Sequence, residues 1–171
     1  VFFERVNQEP GTLEATDDTT ATPDYFRALG IPLLQGRSFT EQDTADAPLV
    51  AIVDERIARL AWPGENPLGK RVRSNPNSPR AEVVGVVGHI RHETLESDQR
   101  WQVYWNYHQR ARDRMALVVR TSGDVRSLVS PVLGAIKTVD PDQPAYAVRT
   151  LTEVLDQSLA LRWFNTVVVS L

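Results

Sequence analysis

Leu49-Val50-Ala51-Ile52-Val53-Asp54-Glu55-Arg56-Ile57-Ala58-Arg59-Leu60-Ala61-Trp62-Pro63-Gly64 sets the character of the chain. Five consecutive apolar residues, three of them β-branched, read as a strand buried on both faces. Asp54 then stands at a helix N-cap, and Ile57, Ala58, Leu60 and Ala61 carry the helix to its stop at Pro63-Gly64. A buried strand feeding directly into a helix is the unit of a mixed α/β architecture.

The same alternation runs outward in both directions. Upstream, Phe2, Arg5 and Val6 suggest a strand, Glu9-Pro10-Gly11 a turn, and the Thr-rich stretch 12–21 an extended edge. Thr22 as N-cap, Pro23 at the first helical position and Gly30 as stop predict a short helix. Its buried face would be Tyr25, Phe26 and Leu29. Ile31–Leu34 reads as a strand ended by Gly36.

Downstream, Glu82–Ile90 is Val-rich and carries Gly85 and Gly88. It predicts a strand that bends or is closely approached by other backbone. Gln102–His108, Met115–Arg120 and Ala145–Val148 read as strands. Val125, Leu128, Val129, Val132, Leu133, Ile136 and Val139 recur at helical spacing, with Pro131 marking a kink or the true start. Asp140-Pro141-Asp142-Gln143-Pro144 stops that helix, and Thr150-Leu151-Thr152-Glu153 is a capping box opening another. Asn75-Pro76-Asn77-Ser78-Pro79 predicts an exposed loop tip. The fold class is α+β, and the stretch from about Ser38 to Arg114 reads as inserted between two flanking pieces.

Composition narrows the function classes. The chain has 171 residues, 42% hydrophobic and 24% charged, enough for one large or two small domains with a real core. A net charge of −3 argues against a nucleic-acid surface. With no cysteine, thiolate metal sites, disulfides and cysteine nucleophiles are excluded. The apolar run that begins near Leu161-Arg162-Trp163-Phe164 reads either as the opening of a transmembrane helix, cut short, or as an amphipathic helix docked on the domain.

Candidate chemistry is sparse. Gly64-Glu65-Asn66-Pro67-Leu68-Gly69-Lys70-Arg71 imitates a phosphate-binding loop, but Arg71 stands where a hydroxyl must meet Mg²⁺ and Pro67 removes an amide. A helix-to-strand turn is the better reading. His89 and His92 lie three apart at a strand end and are expected to face opposite sides, which argues against a metal site. Glu93/Glu96 and Asp140/Asp142 sit where carboxylates cap or stay solvated. Trp101, Tyr104, Trp105 and Tyr107 make either a binding platform or the aromatic part of a sheet core, and the core reading is favoured. No catalytic, cofactor or metal residue is assigned.

Several motifs in fixed order carry a family resemblance. They are Thr22–Phe39 with Asp43, Val50–Glu55, Trp62–Arg71, Val83–Gly88, Val103-Tyr104 with Gln109, and Asp140-Pro141. Together these resemble the extracytoplasmic core domain of MacB-type (MacB/FtsX) ABC transporter permeases, in the branch of duplicated orphan permeases. His89 and Asn106 depart from that pattern, which usually has Asp and Pro there.

The resemblance implies two subdomains. A porter-like α/β sandwich would comprise residues 1–37 and 115–160, with a sabre-like mixed α/β part, 38–114, inserted, and 161–171 would begin a transmembrane helix. It also implies a non-enzymatic, cofactor-free piece, itself soluble, on the periplasmic side of a bacterial inner membrane. Expected partners are a second permease copy, a cytoplasmic ABC ATPase reached through the membrane part, and an envelope protein. The role implied is transmission of helix movement to an envelope substrate or partner. The rival from a different class is a soluble envelope module that captures a lipid, peptide or sugar between subdomains.

Overall fold

The computed structural model describes residues 1–3, 11–12, 16–89, 101–112 and 115–154. The expectations for Arg5, Val6, His92, Glu93, Glu96 and the tail 161–171 lie outside those residues.

The strands are β1 (Phe2–Phe3), β2 (Gly11–Thr12), β3 (Thr16–Ala21), β4 (Leu33–Gly36), β5 (Val50–Asp54), β6 (Arg71–Arg73), β7 (Ala81–Val87) and β8 (Trp101–Asn106). The helices are α1 (Tyr25–Leu29), α2 (Glu55–Ala61) and α3 (Val129–Val139). The strands join one sheet in the order β2-β1-β6-β7-β5-β8-β3, with β4 also pairing β7. β7 runs parallel to β5, β8 antiparallel to β5, and β3 parallel to β8. This mixed α+β sheet holds strands from both sides of position 37. β1, β3 and β4 pair with β6, β8 and β7 respectively.

β5 explains the architecture. All five of its residues are buried, as the continuous apolar run requires. Ala51 and Val53 face the side covered by α2, where Ile57, Ala61 and Trp62 pack with Phe3, Val72, Val83 and Val103. Val50 and Ile52 face the other side, against Phe26 of α1, Ile31, Phe39, Val87 and Tyr104. Burying such side chains contributes about 1.5–3 kcal/mol each, so this two-sided core is the main source of stability.

β7 departs from strict alternation. The β5–β7 register jumps from Ala51↔Val83 to Ile52↔Gly85, leaving Val84 as a bulge. The extra residue reverses the parity, so Val83 and Val86 face the same side. Gly85 is the close backbone approach expected, whereas at Gly88 the group in the way is a side chain. A Cβ on Gly85 would lie 2.4 Å from the Arg37 carbonyl oxygen, and one on Gly88 2.9 Å from Pro32 Cγ.

α1 begins later than expected. Thr22 is not its cap: the Thr22 carbonyl accepts from the Tyr25 amide in a turn, and Asp24 occupies the N-cap without a side-chain capping bond. Asp24 instead pairs with Arg27 at 2.9 Å. Gly30, at φ 71°, ends the helix in the left-handed conformation. Phe26 is buried, whereas Tyr25 and Leu29 are half-buried against the same cluster.

The described residues through Val119 form one compact unit and those from Arg120 onward a second. In the second, α3 starts two residues before Pro131 and ends at Asp140, as the stop signal required. Leu128, Val129, Val132, Leu133 and Ile136 are half-buried along one stripe, while Val125 and Val139 are exposed. The capping box forms: the Glu153 amide donates to Thr150 Oγ1 at 3.1 Å, and the Thr150 amide to Glu153 Oε2 at 2.7 Å.

Two expected strands do not form. Met115–Arg120 has no ladder partner among the described residues, and Met115, Leu117 and Val119 are exposed. An apolar run marks a capacity to pair, and a strand exists only where a neighbour takes its hydrogen bonds. Ala145–Val148 is likewise irregular, because Ala147 sits at φ 57°, outside the β region.

Candidate functional site

A buried polar group lies where β5 passes into α2. Asp54 ends the strand in extended geometry and caps the helix: its Oδ1 accepts from the Ile57 amide at 2.7 Å. Its Oδ2 meets His89 Nδ1 at 2.7 Å. His89 Nε2 meets Arg56 NH1 at 3.2 Å, and the His89 amide reaches Glu55 Oε1 at 3.5 Å. Arg56 also lies over the Trp101 ring, 5.6 Å from its centroid.

Parallel pairing brings these groups together. β5 and β7 run side by side with Asp54 opposite Val87, so His89, two residues on, emerges beside the first turn of α2. Asp54 is wholly buried. Burial pushes its carboxyl above the ordinary aspartate value, opposed by the Ile57 amide and the His89 ring. On the neighbouring strand, Tyr104 donates to Gln102 Oε1 at 2.5 Å. Burial drives the Tyr104 hydroxyl well above its ordinary value, so it remains a neutral donor.

The imidazole nitrogen that would have to activate a nucleophile faces Arg56, a cation with donors only. Among the described residues no cluster of His, Asp and Glu could hold a metal ion.

Two further polar clamps hold the loop before β5. Arg37 grips Asp43 in a bidentate pair, 2.8 Å on each arm, and the Thr40 amide and hydroxyl donate to the same carboxylate at 2.8 and 3.1 Å. Gln109 Oε1 accepts from the Val50 amide, while its Nε2 donates to the carbonyls of Thr44 at 3.1 Å and Pro48 at 3.0 Å.

The phosphate-loop lookalike is a turn. Gly64 and Gly69 take left-handed φ values of 75° and 80°. The amides of Glu65, Gly69 and Lys70 donate to the carbonyls of Trp62, Val83 and Pro67. Lys70 Nζ pairs with Glu65 at 2.5 Å. These amides are committed to the backbone rather than to an anion.

Of the aromatic cluster, Tyr104 and Trp105 are buried on opposite faces of β8, and Trp101 and Tyr107 are half-buried, which fits the core reading. Asn106, which departs from the family pattern, is 1% exposed on a strand flanked by β5 and β3. Asp140 Oδ1 accepts from the Asp142 amide at 3.0 Å, so that pair closes a turn. Asn75 and Ser78 knit the 74–78 tip: Ser78 Oγ accepts from the Asn75 amide at 3.0 Å.

With this architecture in view, the comparisons are decisive. The MacB-like periplasmic core domain family matches residues 3–154. The chain belongs to that family. It is a periplasmic domain of the MacB-like ABC transporter permease type. The chain is 41% identical over 63 residues to the macrolide export ATP-binding/permease protein MacB of Aggregatibacter actinomycetemcomitans, covering 37% of this chain and 10% of that protein. The Sodalis glossinidius (strain morsitans) protein of the same description is 41% identical over 64 residues, 36% of this chain and 10% of its own. The chain thus spans about a tenth of the curated relatives it matches.

Among solved structures, the periplasmic region of MacB from Actinobacillus actinomycetemcomitans superposes with a TM-score of 0.62 at 20% identity. The match covers 93% of this chain and 71% of that one. The extracellular domain of the noncanonic ABC-type transporter YknZ from Gram-positive bacteria gives 0.55 at 16% identity, covering 87% and 76%. These structural likenesses establish the fold. No helix among the described residues is long and apolar enough to cross a membrane.

Proposed function

We propose that this MacB-like domain is non-catalytic and transmits movement of membrane helices to an envelope substrate or partner. The observation that carries this reading is the use of its buried polar groups. Asp54 is bonded to the Ile57 amide and to the His89 ring, which ties β5 to α2 and to the chain beyond β7, while Asp43 clamps the loop before β5 through Arg37; such ties stiffen the unit. A body that passes on force needs that stiffness.

The porter-like part (1–37 with 115–160) and the inserted sabre-like part (38–114) belong to the same proposal. Pairing of β1, β3 and β4 with β6, β8 and β7 supports direct coupling between residues 1–37 and the inserted part through backbone hydrogen bonds. In the full permease a second copy faces this one, and a cytoplasmic ABC ATPase supplies the energy.

The test uses the absence of cysteine in this sequence. A cysteine in place of the exposed Asn77 is spin-labelled in the full-length permease, any cysteine outside this domain being replaced first. The distance distribution between the two copies is then measured with and without ATP. The proposal expects it to change with nucleotide, and an unchanged distribution overturns it. The isolated chain is expected to stay monomeric at micromolar concentration in sedimentation, because the membrane part supplies the dimer's local concentration.

A further inference from the structure

We propose that Asp54, His89 and Arg56 form a proton-operated catch at the β5–α2 junction, in which protonation of the His89 ring expels Arg56. The argument begins with donors and acceptors. A guanidinium can only donate, so the Arg56 NH1 contact at 3.2 Å makes His89 Nε2 an acceptor without a proton. The ring proton then sits on Nδ1 and is donated to Asp54 Oδ2 at 2.7 Å. The geometry therefore assigns one neutral tautomer.

A second proton can enter the ring only at Nε2. It would place an N–H against an N–H and a positive ring against a guanidinium at hydrogen-bond distance. That contact cannot persist, whereas the bond to Asp54 gains opposite charge and tightens. The ring therefore stays and Arg56 leaves.

The described elements packed here bring further groups to the ring. β5 contributes Asp54, α2 contributes Glu55 and Arg56, and β8 contributes the uncharged Gln102 and the Trp101 ring. Glu55 is itself held by Arg59 at 2.8 Å. Arg56 is only half-buried, on the first turn of α2, so its movement leaves the core packing of Ile57 and Ala61 in place. Acidification would thus alter the surface of α2 while the fold stays intact.

The test is nuclear magnetic resonance on the 171-residue chain. Long-range proton–nitrogen spectra in mild alkali are expected to show Nδ1 as the protonated nitrogen of His89. On acidification, the Arg56 side-chain signals should move together with those of the His89 ring. In His89→Asn, whose amide can still donate to Asp54, that shift should vanish. A neutral ring protonated at Nε2, or Arg56 signals that ignore the His89 titration, overturns the proposal. The tautomer measurement on the unaltered chain decides this even if the variant fails to fold.

Discussion

Gln109, just beyond β8, accepts a hydrogen bond from the amide of Val50 at 3.0 Å, across 59 residues of chain. That bond starts β5 in register and closes the loop over 44–48. Removing the side chain leaves the Val50 amide and the loop carbonyls of Thr44, Ala47 and Pro48 without it. Gln109→Ala is therefore expected to cost about 1–3 kcal/mol, read as a lower urea midpoint with unchanged slope. Gln109→Glu should cost more, because it turns a carboxylate oxygen toward the carbonyls of Thr44 and Pro48. Faster hydrogen exchange at Val50 locates the effect.

Three glycines of positive φ separate backbone strain from collision. Gly64 and Gly69 have open space where a Cβ would go, so alanine there should cost only the left-handed penalty, about 1–2 kcal/mol. At Gly36, φ 73°, a Cβ would lie 2.2 Å from the Val84 carbonyl oxygen. Gly36→Ala should exceed both and disturb the bulge in β7, seen in thermal unfolding of the three variants side by side.

Asp43 and Asp54 should titrate on opposite sides of 3.8. The Arg37 hydrogen bond holds Asp43 below it, against the effect of burial. Its stabilising contribution is present above that value and is lost as pH falls through the lower folded value. Burial holds Asp54 above 3.8, so its ionisation opposes folding as pH rises from 3.8 through the higher folded value. Carboxyl carbon resonances measure both directly. Arg37→Met should shrink the acid-side loss belonging to Asp43 to the share supplied by the Thr40 amide and hydroxyl.

Lys70→Ala should change little. Its partner Glu65 is half exposed, and such a pair contributes about 0.2–1 kcal/mol. Calorimetric titration with Mg-ATP should give the same trace for variant and parent. A nucleotide affinity lost with the lysine would restore the phosphate-loop reading.

Much of the fold was legible because its signals are local. The 49–53 run, the Asp54 cap, Gly85 and Gly88, Pro131 and the Thr150 capping box each state a physical requirement within a few residues. The strands expected at 115–120 and 145–148 failed because pairing needs a neighbour that no local pattern names. Thr22 was misread as a cap because Pro23 suits a turn as well as a first helical position. The Asp54–His89 contact escaped because it joins positions 35 apart. The available clue was that two parallel strands bring their C-terminal ends together, whereas His89 was weighed only against His92.

The parallel pairing of Thr16–Ala21 with Trp101–Asn106 bears on how the chain is made. A ribosome delivers the earlier segment long before its mate exists, so it must wait unmatched. Thr16-Asp17-Asp18-Thr19-Thr20 suits that interval: its hydroxyls and carboxylates hydrate readily, and its two negative charges discourage liaison with a stranger's backbone. Among the described residues, β8 is the final strand of the sheet in chain order, and its arrival completes a ladder whose outermost rung was synthesised well before it.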